Sequence, residues 1–339
     1  MAPYSLQPEV RSDADWDSLV SPYNTATVFH SSGWLNYLKA ITGGSALRLR
    51  IAAADGQATV GYFCGMVVKK GPFKILGSPM RGWHTPNMGP VANRETFDTA
   101  AFIAALDLYC RTNGIDFFET CCDWLDPSQL EKSGFRPSAD ITHQIQLSTA
   151  DEAWSNLYKT TRNYVRRAEK NGLIVVRADE PDVIGEHFDQ LKAVFAKQGI
   201  APPYGSERPM AMWNNLSEKQ IMVLKAILGE RCLATYLLVW DKQTMWGLAT
   251  ASWPDALDLR PNELIHWRAI ETACKMGLQR YDLCGGGDYK KKYGALEVPR
   301  VRWMRAYSSL AGFGYKAAER GWELKRKLTK ALHRAKPDK

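Results

Sequence analysis

Apolar and polar positions along this chain follow two periods, and the change from one to the other marks its elements. Leu47 to Ala53 and Thr59 to Val68 alternate as strands and are joined by Asp55-Gly56, a hairpin signal. Leu233 to Trp240 and Met245 to Ala251 predict a second hairpin across Asp-Lys-Gln-Thr. Helical spacing is predicted for Asp13 to Leu19, for the segment from Trp34 through Leu38, and for residues 96–112. It is also predicted for the segment carrying Trp154, Leu157 and Tyr158, where Asp151 is the expected cap, and for Phe188 to Gln198. Thr160 to Gly172 reads as a basic helix with a glycine stop, and Pro79 to Pro90 as a long loop.

One unit occurs twice. Ala105 to Cys121 aligns with Ala269 to Cys284, with Asn113 as one extra residue in the first copy. Cys110 matches Cys274, Gly114 matches Gly277, Phe118 matches Tyr281, Glu119 matches Asp282 and Cys121 matches Cys284. In each copy a helix stops at glycine and a short strand follows, Phe117–Cys121 or Arg280–Leu283. Repetition of this kind argues for duplication of one α/β domain. The expected division is residues 1–147, residues 148–310 and a basic C-terminal helix or tail at 311–339.

The second copy continues into Cys284-Gly-Gly-Gly-Asp-Tyr-Lys-Lys-Lys-Tyr-Gly294. Glycines at a strand end let the main chain approach a ligand, and lysines there can hold an anion. A surface turn with solvated lysines would have the same composition. Asp282 is a possible base or amine anchor, or simply a turn carboxylate. His266 sits among apolar and basic neighbours on its helix and reads more as a packed residue than as a base. Arg81, Trp83 and His84 in the long loop either line an acceptor pocket or pack onto their own domain.

Composition adds limits. The 339 residues suit two domains, and 45% hydrophobic content is that of a globular chain. No apolar run reaches the length of a membrane span, and the N-terminus lacks a signal-peptide pattern. Seven cysteines without paired metal spacing suggest buried thiols, a cytoplasmic location and no metal site. Of the net charge of +8, residues 311–339 supply +6. Leu324, Leu328 and Leu332 lie there among Lys325, Arg326, Lys327, Lys330 and Arg334, a pattern suited to nucleic acid, an anionic membrane surface or water.

The duplicated helix-glycine-strand-glycine order resembles the tandem acyltransferase domains of the GNAT superfamily, in the Fem-type branch and its BioF2-like acetyltransferase relatives. The resemblance runs from residue 29 to about 305. It rests on His30-Ser-Ser-x-Trp34, on Pro79 with Gly89-Pro90, and on Arg162-Asn163 with Ala168 and Lys170-Asn-Gly172. It also rests on Pro261-Asn262 leading to Trp267 and Ala269-Ile270, and on Tyr281-Asp282 with Gly285-Gly286. Tyr289-Lys290-x-x-Tyr293-Gly294 is similar to the family's Phe-Lys-x-x-Phe-Gly signature. The resemblance implies an α/β fold of layered type, with two domains that are each a mixed, mostly antiparallel sheet flanked by helices. It implies transfer of an acyl or aminoacyl group to an amine, direct attack by the amine, and no tightly bound cofactor. Two family features are missing: a coiled-coil insertion, and the Arg/Gln-x-x-Gly-x-Gly/Ala loop that grips coenzyme A. The second absence ranks aminoacyl-tRNA ahead of acyl-CoA as donor.

On this reading Asp282 and Lys290 carry the chemistry, with the Lys290 ammonium expected to point into the cleft. Arg81, Trp83, His84, Asn262, His266, Trp267, Gly285, Gly286, Tyr289 and Tyr293 would bind substrate, and Arg162, Arg166, Lys291 and Lys292 would meet donor or nucleic acid. The partners implied are an amine-bearing small molecule or a cell-wall or polysaccharide precursor, with tRNA and a peripheral membrane contact through the tail also open. A non-catalytic protein that keeps the fold and binds nucleic acid or a membrane surface is the alternative.

Overall fold

The computed structural model describes residues 4–197 and 199–314. The expected basic tail therefore lies outside the described residues from 315 onward. In the first half the elements run β1 (Tyr4–Pro8), α1 (Asp13–Val20), α2 (Ser32–Thr42), β2 (Ser45–Ala53), β3 (Thr59–Lys70), β4 (Phe73–Ser78) and β5 (Gly89–Ala92). They continue through α3 (Thr99–Thr112), β6 (Phe117–Cys121), α4 (Pro127–Lys132) and β7 (Arg136–Gln146). The second half holds α5 (Ala150–Asn156), α6 (Lys159–Lys170), β8 (Ile174–Ala178), α7 (Asp182–Lys197), α8 (Glu207–Asn215), β9 (Ile221–Leu228) and β10 (Arg231–Trp240). It ends with β11 (Thr244–Ser252), α9 (Pro261–Lys275), β12 (Arg280–Asp282) and β13 (Leu296–Ala306). Both expected hairpins form, β2 with β3 and β10 with β11. Thr149, not Asp151, caps α5: its hydroxyl accepts from Glu152 N, and Asp151 lies in the first turn.

Among the described residues all thirteen strands join one sheet, ordered β1-β2-β3-β4-β6-β13-β7-β12-β11-β10-β9-β8, with β5 beside β3. Its parallel pairs are β4 with β6 and β11 with β12. The duplicated strands thus take equivalent places, each after a helix and each parallel to an earlier strand of its own half, β6 to β4 and β12 to β11. Beyond them the halves exchange their last strands. β7, from the first half, pairs with β12, and β13, from the second, pairs with β6. β7 and β13 pair with each other from Leu296↔Gln144 to Met304↔Arg136. The sheet therefore does not part near residue 147, because neither half holds its own final strand.

Three apolar clusters cover the sheet. α3 packs on β2, β3 and β6 through Phe102, Ile103 and Leu106. α5, α6 and α9 bury Ala153, Val165, Leu264 and Ile270 on one face of the second half. On its other face α2, α7 and α8 share one cluster, with Trp34, Leu35, Ile184 and Met212 against Leu237 and Trp246. That last cluster spans both halves. Phe29 meets Trp246 edge-on at 4.6 Å, which seats the short 3-10 turn Val28–His30 on β11.

Candidate active site

β11 and β12 pair at only three positions, from Thr244↔Arg280 to Trp246↔Asp282. Past that point β12 has ended, and β11 carries a bulge where Leu237 faces Ala249 and Leu238 faces Gly247, leaving Leu248 as the extra residue. A side chain on Gly247 would place its Cβ 1.8 Å from the Tyr236 hydroxyl, so only glycine lets that phenol lie across the strand. On this face Tyr236, Tyr281, Tyr293 and His266 pack together. His266 stacks on Tyr293 at 4.6 Å and meets Tyr236 at 4.5 Å. Burial, then Lys292 and Lys290, push the His266 pKa down to about 3, and burial raises the Tyr281 and Tyr293 phenols well above their ordinary value.

His266 Nδ1 and Tyr281 Oη in this group are buried and make no well-formed hydrogen bond, and the same holds for Asn262 Oδ1 and Arg260 Nε at the start of α9, where the Arg260 guanidinium lies on the Tyr164 ring at 4.1 Å. Such groups are unusual, because buried polar atoms in folded proteins are nearly all paired. The Asn262 amide donates to Ser252 Oγ at 3.1 Å, which aims its oxygen away from that bond. α9 begins without a side-chain cap: Arg260 is left-handed at φ 64° and Pro261 brings no N–H.

The glycine loop closes the other side. Gly285 and Gly287 have φ of 65° and 135°, conformations that glycine reaches at little cost. Lys290 is buried, and its ammonium donates to the carbonyls of Cys284 and Gly285, the latter at 3.1 Å. It holds the loop and does not project into the cleft as expected. Tyr293 is buried as an anchor, whereas Tyr289 is 58% exposed. Gly286 packs beside Ile141 of β7.

Asp282 is fully buried and its oxygens are occupied. Oδ1 accepts from Thr142 Oγ1 at 2.5 Å and Cys284 N at 2.7 Å, and Oδ2 accepts from Gln144 Nε2 at 2.9 Å and Arg300 Nη2 at 2.5 Å. A carboxylate offers about four lone-pair positions, so none is left for an amine. The donors on Asp282 come from β7, β13 and its own turn, which makes the residue a lock on the strand exchange. Glu119, its match in the first copy, is locked likewise by Arg302 of β13 at 3.2 Å and by the Arg81 backbone N–H at 2.7 Å.

On the opposite face of β10 and β11 lies a narrow cleft of about 10 Å³ between the two halves. His84 from the first half meets Tyr204, Arg208 and Met212 there, over Leu237, Leu248 and Ala249, with His187 of α7 at its wall. Arg208 donates to the Gly82 carbonyl at 2.7 Å, and His84 meets Tyr204 edge-on at 4.9 Å. Burial, then Arg208, push the His84 pKa down to about 4. Of the loop residues expected to line a pocket, only His84 reaches this cleft. Trp83 is buried over Gly77, and the Arg81 side chain donates to Ser138 Oγ at 2.9 Å.

Several expected contacts serve the fold instead. Arg162 donates to the Ser155 and Leu157 carbonyls at the end of α5, at 2.7 and 2.5 Å, and so caps that helix. Arg166 is exposed and lies over the Trp154 ring at 5.4 Å. Trp267 is buried against Trp154 at 4.7 Å. Lys292 pairs with Glu263 at 2.8 Å, and Lys291 pairs with Asp288 at 2.6 Å at the surface. The sequence reading missed Tyr236, His187, Tyr204 and Arg208. Of these only Gly247 near Trp246 could have pointed to a close approach in β11, and the others sit in ordinary apolar or loop contexts.

Residues 155–293 match the family described as acetyltransferase (GNAT) domain. No curated protein matches the chain significantly. Among solved structures, FemX has a TM-score of 0.69 at 14% identity, covering 87% of this chain and 96% of its own. The C-terminal domain of a putative lysylphosphatidylglycerol synthetase from Agrobacterium fabrum has a TM-score of 0.58 at 14% identity, covering 91% and 97%. A tandem GNAT protein from the clavulanic acid biosynthesis pathway has a TM-score of 0.53 at 10% identity, covering 90% and 99%. At such identities these likenesses concern the fold. Residues 155–293 thus match a GNAT acetyltransferase domain, and over nearly its whole length the chain has the fold of FemX and of the tandem GNAT protein.

Proposed function

We propose that the protein forms an amide by transferring an aminoacyl group from aminoacyl-tRNA to an amine where β11 departs from β12. The observation that carries this reading is the unpartnered buried polar atoms of α9 and Tyr281 on one face of β11, with the bulge at Leu248 between them and the cleft on the opposite face. The donor enters beside α9 and the glycine loop, and the acceptor enters through the cleft between the halves. Amide formation needs the two reactants held in line and donors for the carbonyl oxygen as it gains charge. The loop and bulge backbones supply candidates for those donors.

Aminoacyl-tRNA is favoured by the connection from β11 to α9, where Pro254 and Pro261 interrupt the run of N–H groups that would cradle a pyrophosphate. Exposed Arg166, Arg167 and Lys170 on α6 offer charge to a nucleic acid, although Arg162 does not. One fold neighbour is named for lysylphosphatidylglycerol, an aminoacylated lipid. The acceptor is an amine-bearing small molecule or a cell-wall or polysaccharide precursor, met in the cytoplasm. Peripheral membrane contact would fall to the basic tail, since no described helix is long and apolar enough to cross a membrane. Acyl-CoA is the second donor, favoured by the acetyltransferase description of the matching family.

The test supplies charged total tRNA, and separately acetyl-CoA, with a panel of lysine peptides, amino sugars and anionic amines. Mass spectrometry then reads the amide. Transfer from charged tRNA supports the proposal, transfer from acetyl-CoA alone moves it to the second donor, and no transfer from either refutes it.

A further inference from the structure

His187 is fully buried on α7, and its Nδ1 lies 2.9 Å from Thr235 Oγ1 on β10. Thr235 Oγ1 in turn lies 2.8 Å from Gln190 Oε1. The amide of Gln190 is oriented by its other end, where Nε2 lies 3.6 Å from Cys232 Sγ. The Cys232 thiol proton is directed at the Ala234 carbonyl at 3.5 Å, so that sulfur offers only lone pairs and requires the Gln190 N–H. The single proton of Thr235 therefore goes to Gln190 Oε1, and Thr235 must accept from His187. This fixes the proton on Nδ1 and leaves Nε2 as a bare lone pair. Nε2 is buried and has no partner.

His187 forms part of the wall of the cleft that holds the bulged Leu248, beside Ala249, His84, Tyr204 and Arg208. We propose that His187 Nε2 receives the N–H of the acceptor amine and takes its proton as the amide forms. This rests on the acceptor's entering through that cleft. The amine lone pair makes the new C–N bond to the acyl carbon. The bond from that carbon to the ester oxygen or thioester sulfur breaks, and the departing atom regains the one proton that the amine gave to the imidazole. Burial pushes the His187 pKa down to about 4, which keeps the ring neutral and able to accept. The titratable groups facing the cleft are His84 from the loop, Tyr204 before α8, Arg208 of α8, and Tyr37 of α2 nearby. None supplies a hydrogen-bond donor to Nε2. Thr235 and Gln190 act only through the ring and are positioning residues.

The test uses the full chain labelled with 15N-histidine, with the His187 signals assigned by their loss in His187→Gln. The Nδ1–H tautomer is expected, and added n-butylamine or glycinamide should shift the Nε2 signal. The other tautomer, or no shift with either amine, overturns the proposal. With whichever donor and amine turn over, His187→Gln should lower kcat by about 100- to 10,000-fold with a much smaller change in KM. Unchanged kcat overturns the proposal while leaving the amide-forming reading intact. If no pair turns over, that reading fails and the amine-induced shift alone decides the role of His187. Should His187→Gln not fold, Thr235→Val is read instead: a mixed tautomer and an altered pH profile support the proposal, and a wild-type spectrum and profile overturn it.

Discussion

Replacing Asp282 by asparagine separates the two roles open to this carboxylate, a base or a structural lock. The side chain is fully buried and receives four donors, and the Arg300 guanidinium opposite it is only 11% exposed at 2.5 Å. Asparagine keeps the shape, removes the negative charge and turns one acceptor into a donor that confronts Thr142, Gln144 or Arg300. Two opposite charges at contact distance interact by about 4 kcal/mol at the effective dielectric of a partly buried site. Breaking one side of a buried pair costs ~3–5 kcal/mol, since the partner is left charged and unpaired. Asp282→Asn should therefore lower the urea midpoint by an amount corresponding to about that range. Asp282→Asn with Arg300→Met should recover much of the loss, because the guanidinium left without its partner is then gone. The exposed pair Lys192–Asp189, at 54% and 56%, serves as control, and Asp189→Asn should leave the midpoint unchanged. Urea unfolding followed by tryptophan fluorescence gives these midpoints, and Arg300→Met alone completes the cycle that yields the coupling between Asp282 and Arg300. A wild-type midpoint for Asp282→Asn together with a large loss of turnover would refute the lock and restore the base.

Lys290→Met keeps the apolar stem but strands the Cys284 and Gly285 carbonyls, so thermal unfolding should report a loss of ~1–3 kcal/mol. Lys291→Ala should show none, and a wild-type melt for Lys290→Met would mean that the ammonium serves a ligand rather than the loop. Burial holds His30, His187 and His266 neutral, with pKa values of about 4, 4 and 3 against about 6.5 when unfolded. Below pH 6.5 the unfolded chain binds these protons first, so stability should fall as pH drops from 6.5 towards 4, by up to ~1.4 kcal/mol per unit for each ring. His266→Gln should show a shallower slope in urea midpoints taken across this range, and an unchanged slope would exclude that ring from the effect.

Local chemistry made much of the fold legible, and long-range pairing made the rest invisible. The turn at Asp55-Gly56 and the glycine stops at Gly114, Gly172 and Gly277 carry their reason in the residue itself, with φ of 72°, 63°, 86° and 70°. The duplicated strands were readable because both are largely buried and each carries an acidic residue, Glu119 or Asp282, that must be held. β7 and β13 were not readable. Pro137 and Pro299 lie within them, and half-exposed polar positions blur their alternation, so only the exchange explains why they are strands. The same limit applies to the site. Lys290 and Tyr293 were found by motif, but which way the ammonium turns depends on loop carbonyls six and five residues away. His187 could not be found at all, because its meaning comes from Thr235 and Gln190 and from a cleft whose far wall belongs to the other half.

The two copies also show why duplication here leaves one reacting centre. In the first half β4 and β6 pair at four positions, through Ser78↔Thr120, one more than β11 and β12. The chain then folds back over the strand end. Pro79 O accepts from Arg302, Arg81 N donates to Glu119, Met88 N donates to Cys121 O, and Trp83 lies where a side chain on Gly77 would be. The space that the second half leaves between β11 and the glycine loop is thus filled by residues 79–90. In the second half the same strand end leads into Gly285 and Gly287, which turn the backbone aside and leave buried donors and acceptors unmatched. Both copies keep the locked carboxylate, so the lock serves the strand exchange, and under the proposed function the chemistry depends on the loop at the strand end. The filled copy is still used: its loop presents His84 and the Gly82 carbonyl to α8, forming the wall of the cleft through which the other copy would receive its amine.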